Sequence, residues 1–197
     1  QTCDLPIFRL CQRVHALVTQ TVMPNEIPAP APAGPRRAVI KSIPAVSMVT
    51  TVGLLEVLEN EGAMELFELT QHVDMELTLL LLVVKAAELL GWVSTPGQRV
   101  EMTAAGRTFL AASINARKRL LNASLRDIFV FDMVIQMLRQ SETGEVNEEA
   151  ILGQLAIQFP HERPARIFRT VVAWARYAEL FKYSSTRKVL YALAPPA

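Results

Sequence analysis

The side chains most often used in catalysis are spread along this chain without a recognisable catalytic spacing. The three histidines lie in separate segments, at His15, His72 and His161, and none has a second ligand at metal-site spacing. The sequence has neither a GxSxG nucleophile elbow nor a GxxxxGK(S/T) phosphate loop. Five glutamates occur at spacings that indicate solvated helix faces rather than a paired acid and base: Glu56, Glu59, Glu61, Glu65 and Glu68. We therefore predict no catalytic, metal-binding or cofactor-binding residues in this chain.

Three arginines form a candidate interaction surface, here called the arginine face. Residues 162–180 are predicted to be a helix, and Arg166, Arg169 and Arg176 lie on the side opposite its apolar stripe. The first interpretation is a solvated surface balanced by nearby acids. Two alternatives stay open, namely contact with an acidic protein surface and contact with nucleic-acid phosphates.

A second candidate surface is a leucine-rich segment, predicted to be a helix over residues 75–90. Apolar residues cover nearly its whole circumference: Leu77, Leu79, Leu80, Leu81, Leu82, Val83, Val84, Ala86, Ala87, Leu89 and Leu90. A helix that is apolar all round is predicted to be buried, here between two units or against a partner, with Leu81 and Leu82 as candidate contact residues. It lacks the polar and basic side chains that read base edges, so it does not favour DNA binding.

The overall composition indicates an ordinary soluble protein rather than a nucleic-acid binder. Apolar residues make up 51% of the 197 residues, and the formal net charge is +1. The longest apolar run, at 77–84, is shorter than the about 20 residues of a spanning helix, so no membrane span is predicted. The sequence has no signal-peptide pattern. Because it begins with Gln1 rather than Met, we interpret it as part of a longer protein.

The N-terminal region is predicted to be a helix, residues 1–23, followed by a Pro-rich linker, residues 24–42. On such a helix Cys3 and Cys11 are roughly 12 Å apart, too far to bridge each other. Two free thiols in a reducing compartment are therefore expected. An amphipathic helix beyond a linker needs a surface to cover its apolar stripe, on the main domain, on another copy or on a partner domain.

The order helix, helix, helix, hairpin occurs twice in the rest of the chain. We predict a fold that is mainly α with short β-hairpins, built from two tandem winged-helix-like units, residues 43–112 and residues 113–197. The second unit is predicted to begin with one long helix over residues 114–140 and to end in a hairpin.

Residues with special backbone or capping properties set the expected helix boundaries. Gly62 and Gly91 are expected to end the first and third helices, since glycine adopts the backbone conformations that follow a helix. Asp74 is predicted to be the N-cap of the third helix and Thr103 the N-cap of the helix after the first hairpin, because their side chains can accept the free N–H groups of a first turn.

With these elements placed, three segments resemble one known family, the AAA-associated C-terminal domain. WARYAELFKY, Trp174 to Tyr183, resembles its closing motif. VGLLEVLENEGAMELFELTQHVDMELTLLLLVVKAAELLGW resembles its opening, and VEMTAAGRTFLAASINARKRLL resembles its Leu-Thr-x-x-Gly-Arg segment with the Arg-Lys helix that follows. The resemblance extends over about residues 43–184. The chain departs from the family pattern at Ala175, where glycine is more frequent, and at 171–173 and 184–186, where acidic residues are more usual.

The resemblance implies a tail that follows the nucleotide-binding domain of bacterial ABC-transporter ATPases, in the nitrate, sulfonate, taurine and bicarbonate uptake group. ATP and Mg would then bind in the preceding domain, and residues 1–23 would be its final helix. The implied role is non-catalytic, tuning the ATPase or subunit association. The implied partners are its own ATPase domain, a second copy and the permease subunits, at the cytoplasmic side of the inner membrane. The alternatives are a winged-helix DNA-binding regulator and a small-ligand sensor with a groove between the two units.

The closing motif is interpreted mainly as a structural joint between the last helix and the last hairpin. Its motif residues are Trp174, Arg176, Tyr177, Glu179, Leu180, Phe181 and Tyr183. Trp174 is predicted to lie on the apolar helix face, Phe181 and Tyr183 to point the same way from a strand, and Arg176 to pair with Glu179. A recognition surface on the same joint stays open as the alternative.

Overall fold

The computed structural model describes residues 42–193. The predicted N-terminal helix, the two cysteines and nearly all of the predicted linker lie outside the described residues. Within the described range there are eight helices: α1 (Met48–Glu61), α2 (Leu66–Val73), α3 (Leu77–Leu89), α4 (Ala104–Ala111), α5 (Ile114–Arg126), α6 (Phe129–Gln140), α7 (Glu148–Gln158) and α8 (Pro164–Tyr177). The six strands in that range are β1 (Met64–Glu65), β2 (Val93–Ser94), β3 (Arg99–Met102), β4 (Glu145–Asn147), β5 (Phe181–Ser184) and β6 (Val189–Ala192).

The strands form two small antiparallel sheets with the same order of strands. The first sheet has the order β1-β3-β2, with Met64 opposite Val100. The second has the order β4-β6-β5, with Val146 opposite Leu190. In each sheet the last strand in the chain lies in the middle. A mainly helical fold with short hairpins is therefore confirmed, and the assignment of each unit as winged-helix-like stays a prediction.

The elements repeat along the chain as helix, strand, helix, helix, strand, strand. The first set runs from α1 to β3 and the second from α6 to β6, with α4 and α5 between them. We refer to residues 42–112 as the first half and residues 113–193 as the second half. A single hydrophobic core extends through both halves.

Two predicted boundaries are confirmed by the backbone. Gly62 follows α1 with φ at 83°, in the region that favours glycine. Thr103 is the N-cap of α4, and its hydroxyl oxygen accepts a hydrogen bond from the Gly106 N–H at 3.1 Å. This bond satisfies one of the free N–H groups of the first turn.

The prediction that Asp74 caps the start of α3 is wrong. Asp74 instead follows the end of α2 in the left-handed conformation, with φ at 45°, and Glu76 is the N-cap of α3. Asp tolerates this conformation better than most residues with a side chain. Asp is frequent both at helix starts and in left-handed turns. Here Asp74 lies in the turn between α2 and α3, so it follows a helix instead of starting one.

The predicted long helix over residues 114–140 is also wrong, because the chain turns between Arg126 and Phe129. The last turn of α5 tightens, with the Ile128 N–H bonded to the Leu125 carbonyl at 3.1 Å, three residues back. Ile128 then adopts an extended conformation and precedes α6. The turn lets two shorter helices bury separate apolar faces, although no Gly or Pro marks the break.

Candidate functional site

Within one chain the leucine-rich helix α3 is buried on one side only, and its predicted burial against a partner stays a prediction. Its buried residues are Leu80, Val83, Val84, Ala86 and Ala87. On the rest of its surface Leu77, Leu79 and Leu81 are 47%, 42% and 46% exposed, and Leu82 is half-buried. We call Leu77 and Leu81, which are one turn apart on the same side of α3, the leucine face. At about 100° per residue Leu79 lies nearly opposite them and Leu82 lies between, so these two leucines are not part of that face.

The arginine face lies on α8, in the other half of the chain. Arg166, Arg169 and Arg176 are all exposed. Arg166 lies 3.6 Å from the Glu162 carboxylate, one turn earlier, and the Arg169 Nε donates to the Ala165 carbonyl at 3.3 Å. Glu162 therefore balances the charge of Arg166, whereas Glu179 pairs with Lys118, and the choice among the three interpretations of this face stays open.

Trp174 fixes the closing motif in the core. Its side chain is fully buried, and its Nε1 donates a hydrogen bond to the Val46 carbonyl at 2.8 Å. The indole ring stacks on Phe131, with the ring centroids 6.3 Å apart. Leu180 and Phe181 are buried as well. The apolar residues of the motif are therefore packed in the core, in the way the structural interpretation predicts. The Trp174 hydrogen bond also ties α8 to the segment that precedes α1.

The predicted ion pair between Arg176 and Glu179 is wrong. α8 ends at Tyr177, and Glu179 adopts a left-handed conformation with φ at 52°. Its carboxylate accepts from the Lys118 Nζ at 2.6 Å instead. The change of backbone direction after the helix removes Glu179 from the helical position that would have faced Arg176.

Two α5 residues that the sequence analysis missed hold this turn in place. Besides the Lys118 contact, Asn122 Nδ2 donates to the Ala178 carbonyl at 3.1 Å and to the Glu179 carbonyl at 3.3 Å. Carbonyls at a helix end lack partners within the helix, so Asn122 serves as an external cap. These contacts join residues 56, 57 and 61 positions apart, and no local pattern in the sequence pairs them.

Tyr183, the last residue of the motif, is linked to the start of α7. Its hydroxyl donates to the Glu148 carboxylate, and its ring meets Phe168 edge-on with centroids 5.3 Å apart. The hydrogen bond to Glu148 raises the pKa of the Tyr183 phenol, with burial and the carboxylate charge adding to it. A neutral tyrosine held in this way is a structural link rather than a proton donor tuned for neutral pH.

A polar depression of about 190 Å³ lies beside the last hairpin, lined by Glu145, Ser184, Arg187 and Tyr191. Glu145 and Arg187 form an ion pair across it. The hydrogen bond to the Glu145 carboxylate raises the pKa of the Arg187 guanidinium. The acidic and basic groups here bind one another, so the depression is neutral overall.

An apolar groove of about 240 Å³ lies between α1 and α3 in the first half. It is lined by Thr50, Gly53, Leu54, Val57, Val73, Met75, Leu80 and Val83. The lining residues of α1 are three or four positions apart, so they lie on the same side of that helix. The lining residues of α3 lie on the side of that helix that faces α1. The sequence analysis missed this groove, because helical periodicity shows which residues are apolar but not where packed helices leave a gap.

Metal binding and membrane crossing can be examined for residues 42–193. No group of three or more His, Cys, Asp or Glu side chains in that range is arranged to hold a metal ion. None of the helices there combines the length and the apolarity that a bilayer crossing requires.

A family model described as the C-terminal AAA-associated domain matches residues 67–184. The match begins in α2 and ends with β5, so it includes the leucine face, the arginine face and the joint that Trp174 anchors. Neither the curated proteins nor the solved structures gave a match. The family model covers more than half of the chain, and the chain therefore belongs to the family of C-terminal AAA-associated domains.

Proposed function

We propose that this chain is the non-catalytic C-terminal domain of an ABC importer's ATP-binding subunit, of the nitrate, sulfonate, taurine and bicarbonate group. Family membership supports a domain that accompanies an ATPase. The narrower assignment to an importer is supported by the resemblance of the three segments described above. On this proposal the domain works at the cytoplasmic side of the inner membrane, next to the permease subunits.

The proposed activity is binding, through the leucine face, to a second copy of the same domain. The observation that supports it is the exposure of Leu77 and Leu81, one turn apart, on a helix whose other side is packed in the core. Burying apolar surface contributes about 25 cal/mol per Å², so a contact that covers these leucines is favourable. ABC ATPases work in pairs, and an association of their tails would favour the paired state.

We propose that the arginine face forms a second contact, with the preceding ATPase domain. Arg169 and Arg176 project from α8 without burial, and they suit an acidic surface of the preceding ATPase domain. The two faces lie on different helices in different halves, so one domain has separate surfaces for its copy and its ATPase.

Light scattering of the purified full chain tests the self-association. We expect a mass that rises with concentration towards twice the 21.9 kDa of one chain. The double variant Leu77→Glu, Leu81→Glu is expected to stay at the mass of one chain, because two carboxylates in an apolar contact cost more than the contact supplies. Both positions are exposed, so the fold of the single chain should tolerate the change.

Ile157→Glu is the matched control, because Ile157 is an apolar residue of α7 that is 70% exposed. It should leave the association unchanged. A native chain with the mass of one copy at every concentration would contradict association through the leucine face, and so would equal effects of the α3 and α7 variants.

The identity of the parent protein is tested by the coding sequence upstream of Gln1. We expect it to encode a GxxxxGK(S/T) phosphate loop, whose backbone N–H groups and Lys hold the nucleotide phosphates, together with an ABC signature. A start codon a few residues upstream, with no ATPase domain, would contradict the importer assignment and leave only the family membership.

A further inference from the structure

The apolar groove between α1 and α3 has a glycine in its lining. Gly53 lies in the interior of α1, and nothing lies within 4 Å of the position that a Cβ would occupy there. Glycine destabilises a helix interior by about 1 kcal/mol relative to alanine. Val49, one turn earlier on α1, is 71% exposed and extends the apolar surface away from the groove. The folded chain therefore keeps an apolar gap at a cost to the stability of α1.

Acidic side chains surround this groove. The sequence has no Lys or Arg between Ser42 and Val84. Seven acidic residues in that segment are exposed: Glu56, Glu59, Glu61, Glu65, Glu68, Asp74 and Glu76. Over residues 42–193 the ion pairs involve other acids, namely Glu101, Glu145, Glu162 and Glu179. None of the seven carboxylates forms an ion pair within residues 42–193, although Arg99 lies opposite Glu65 in the first sheet, so residues 42–84 carry a net negative charge.

Four of these acids adjoin residues that line the groove. Asp74 and Glu76 flank Met75 in the chain. Glu56 precedes Val57 on α1, and Glu61 follows Val57 by four residues, which places it one turn further along the same side of the helix. The groove thus has an apolar lining, with exposed carboxylates next to lining residues both on α1 and in the turn before α3.

This combination disfavours three kinds of ligand. The volume of about 240 Å³ is below the range of about 300–1,000 Å³ typical of small-molecule pockets. The one hydroxyl among the lining side chains, on Thr50, is 2.7 Å from the Ser47 hydroxyl and bonded to it. Negative charge repels both nucleic-acid phosphates and anionic lipid headgroups.

We propose that the groove binds a basic amphipathic helix of a partner protein. A helix laid into an apolar groove inserts side chains at positions i, i+3, i+4 and i+7, which suits a gap between two helices. Lys or Arg on the flanks of that apolar stripe would meet the carboxylates at the edges, and such complementary charge selects the partner and speeds its association. The groove adjoins the leucine face on α3 but is lined by Leu80 and Val83 rather than by Leu77 and Leu81, and this inference does not rest on the proposed function.

The test uses the full chain and a labelled amphipathic peptide of about 18 residues, long enough for five helical turns, made of Leu and Lys at helical spacing. Fluorescence anisotropy should show binding that weakens with added salt. A peptide with Glu in place of every Lys is the charge control and should not bind. Gly53→Trp should raise the Kd at least about tenfold, because the indole fills the groove.

Gly153→Trp is the matched control variant. Gly153 lies in the interior of α7, is exposed, and also has nothing within 4 Å of its Cβ position. It should leave the Kd unchanged. Gly53→Ala should weaken binding much less than Gly53→Trp. If Gly53→Trp fails to fold, the double variant Glu56→Gln, Glu61→Gln tests the same groove and should lower both the affinity and its dependence on salt.

Three results would overturn the inference. Equal binding of the Lys and Glu peptides would remove the charge argument, and equal effects of the two tryptophan variants would place binding elsewhere. Dissociation of a dimer of this chain by Gly53→Trp would mean that a second copy occupies the groove. A chain with the mass of one copy that still binds the Lys peptide would contradict the proposed self-association and leave this inference intact.

Discussion

Trp174→Ala is expected to lower the free energy of unfolding by about 3–5 kcal/mol, the range typical of removing a large aromatic side chain from a core. Trp174 is fully buried and stacks on Phe131, so its removal leaves a cavity between α8 and α6. It also removes the donor that satisfies the Val46 carbonyl, 128 residues earlier in the chain. Chemical denaturation followed by circular dichroism measures the change.

Two variants separate the causes of this loss. Trp174→Phe keeps an aromatic ring but removes the donor, and it should cost about 1–3 kcal/mol, as expected for an acceptor left unsatisfied in the core. Phe67→Ala removes a ring that is 70% exposed, and it should change the stability by no more than about 0.5 kcal/mol. If Trp174→Ala altered stability as little as Phe67→Ala, the packing role of the closing motif would be wrong.

Local signals in the sequence placed the ends of α1 and α3 in the first half, although they assigned Asp74 to the wrong helix end. Gly62 and Gly91, which follow these helices, both have positive φ. The hairpin between β2 and β3 turns at Gly97, also with positive φ, next to Pro96. Periodicity and glycine act over a few residues, which is why one sequence was enough to place these elements.

Local sequence signals could not predict contacts between residues that lie far apart in the chain. β1 has only two residues, and it is a strand because Met64 and Glu65 pair with β3. Likewise, Glu179 could be paired with Arg176 by helical spacing, but its partner is Lys118, which packing brings from 61 residues away. Such contacts depend on how the helices stack, and that arrangement is absent from any local pattern.

The candidate surfaces on α3 and α8 also differ in how much of their exposure could be predicted from the sequence. The sequence identified the leucines of α3 as candidate contact residues only by their apolar character, and it could not tell that Leu80 is buried while Leu81 is 46% exposed. For α8 the spacing alone separated Arg169 from the buried Val171, because that helix alternates polar and apolar residues at a regular period. A helix that is apolar on every side, such as α3, has no periodic pattern to show which side is exposed.

Gly106→Ala is expected to destabilise the domain by about 3 kcal/mol, the upper end of the usual range for overpacking. Gly106 lies in the first turn of α4, where an added Cβ would be 2.3 Å from the Trp92 carbonyl oxygen and 2.8 Å from the Met102 Cγ. The Met102 side chain can move. The Trp92 carbonyl cannot move without loss, because it accepts hydrogen bonds from the Thr103 N–H at 2.9 Å and the Thr103 hydroxyl at 3.1 Å.

The same substitution at Gly53 is the control, and it should have the opposite sign. Gly53→Ala places a methyl group in open space within a helix, so it should stabilise the domain by about 1 kcal/mol through helix propensity. Equal effects of the two variants in thermal or chemical denaturation would mean that helix propensity alone governs both glycines. Opposite signs would show that Gly106 is needed for the close approach of α4 to the Trp92 carbonyl, whereas helix propensity alone governs Gly53.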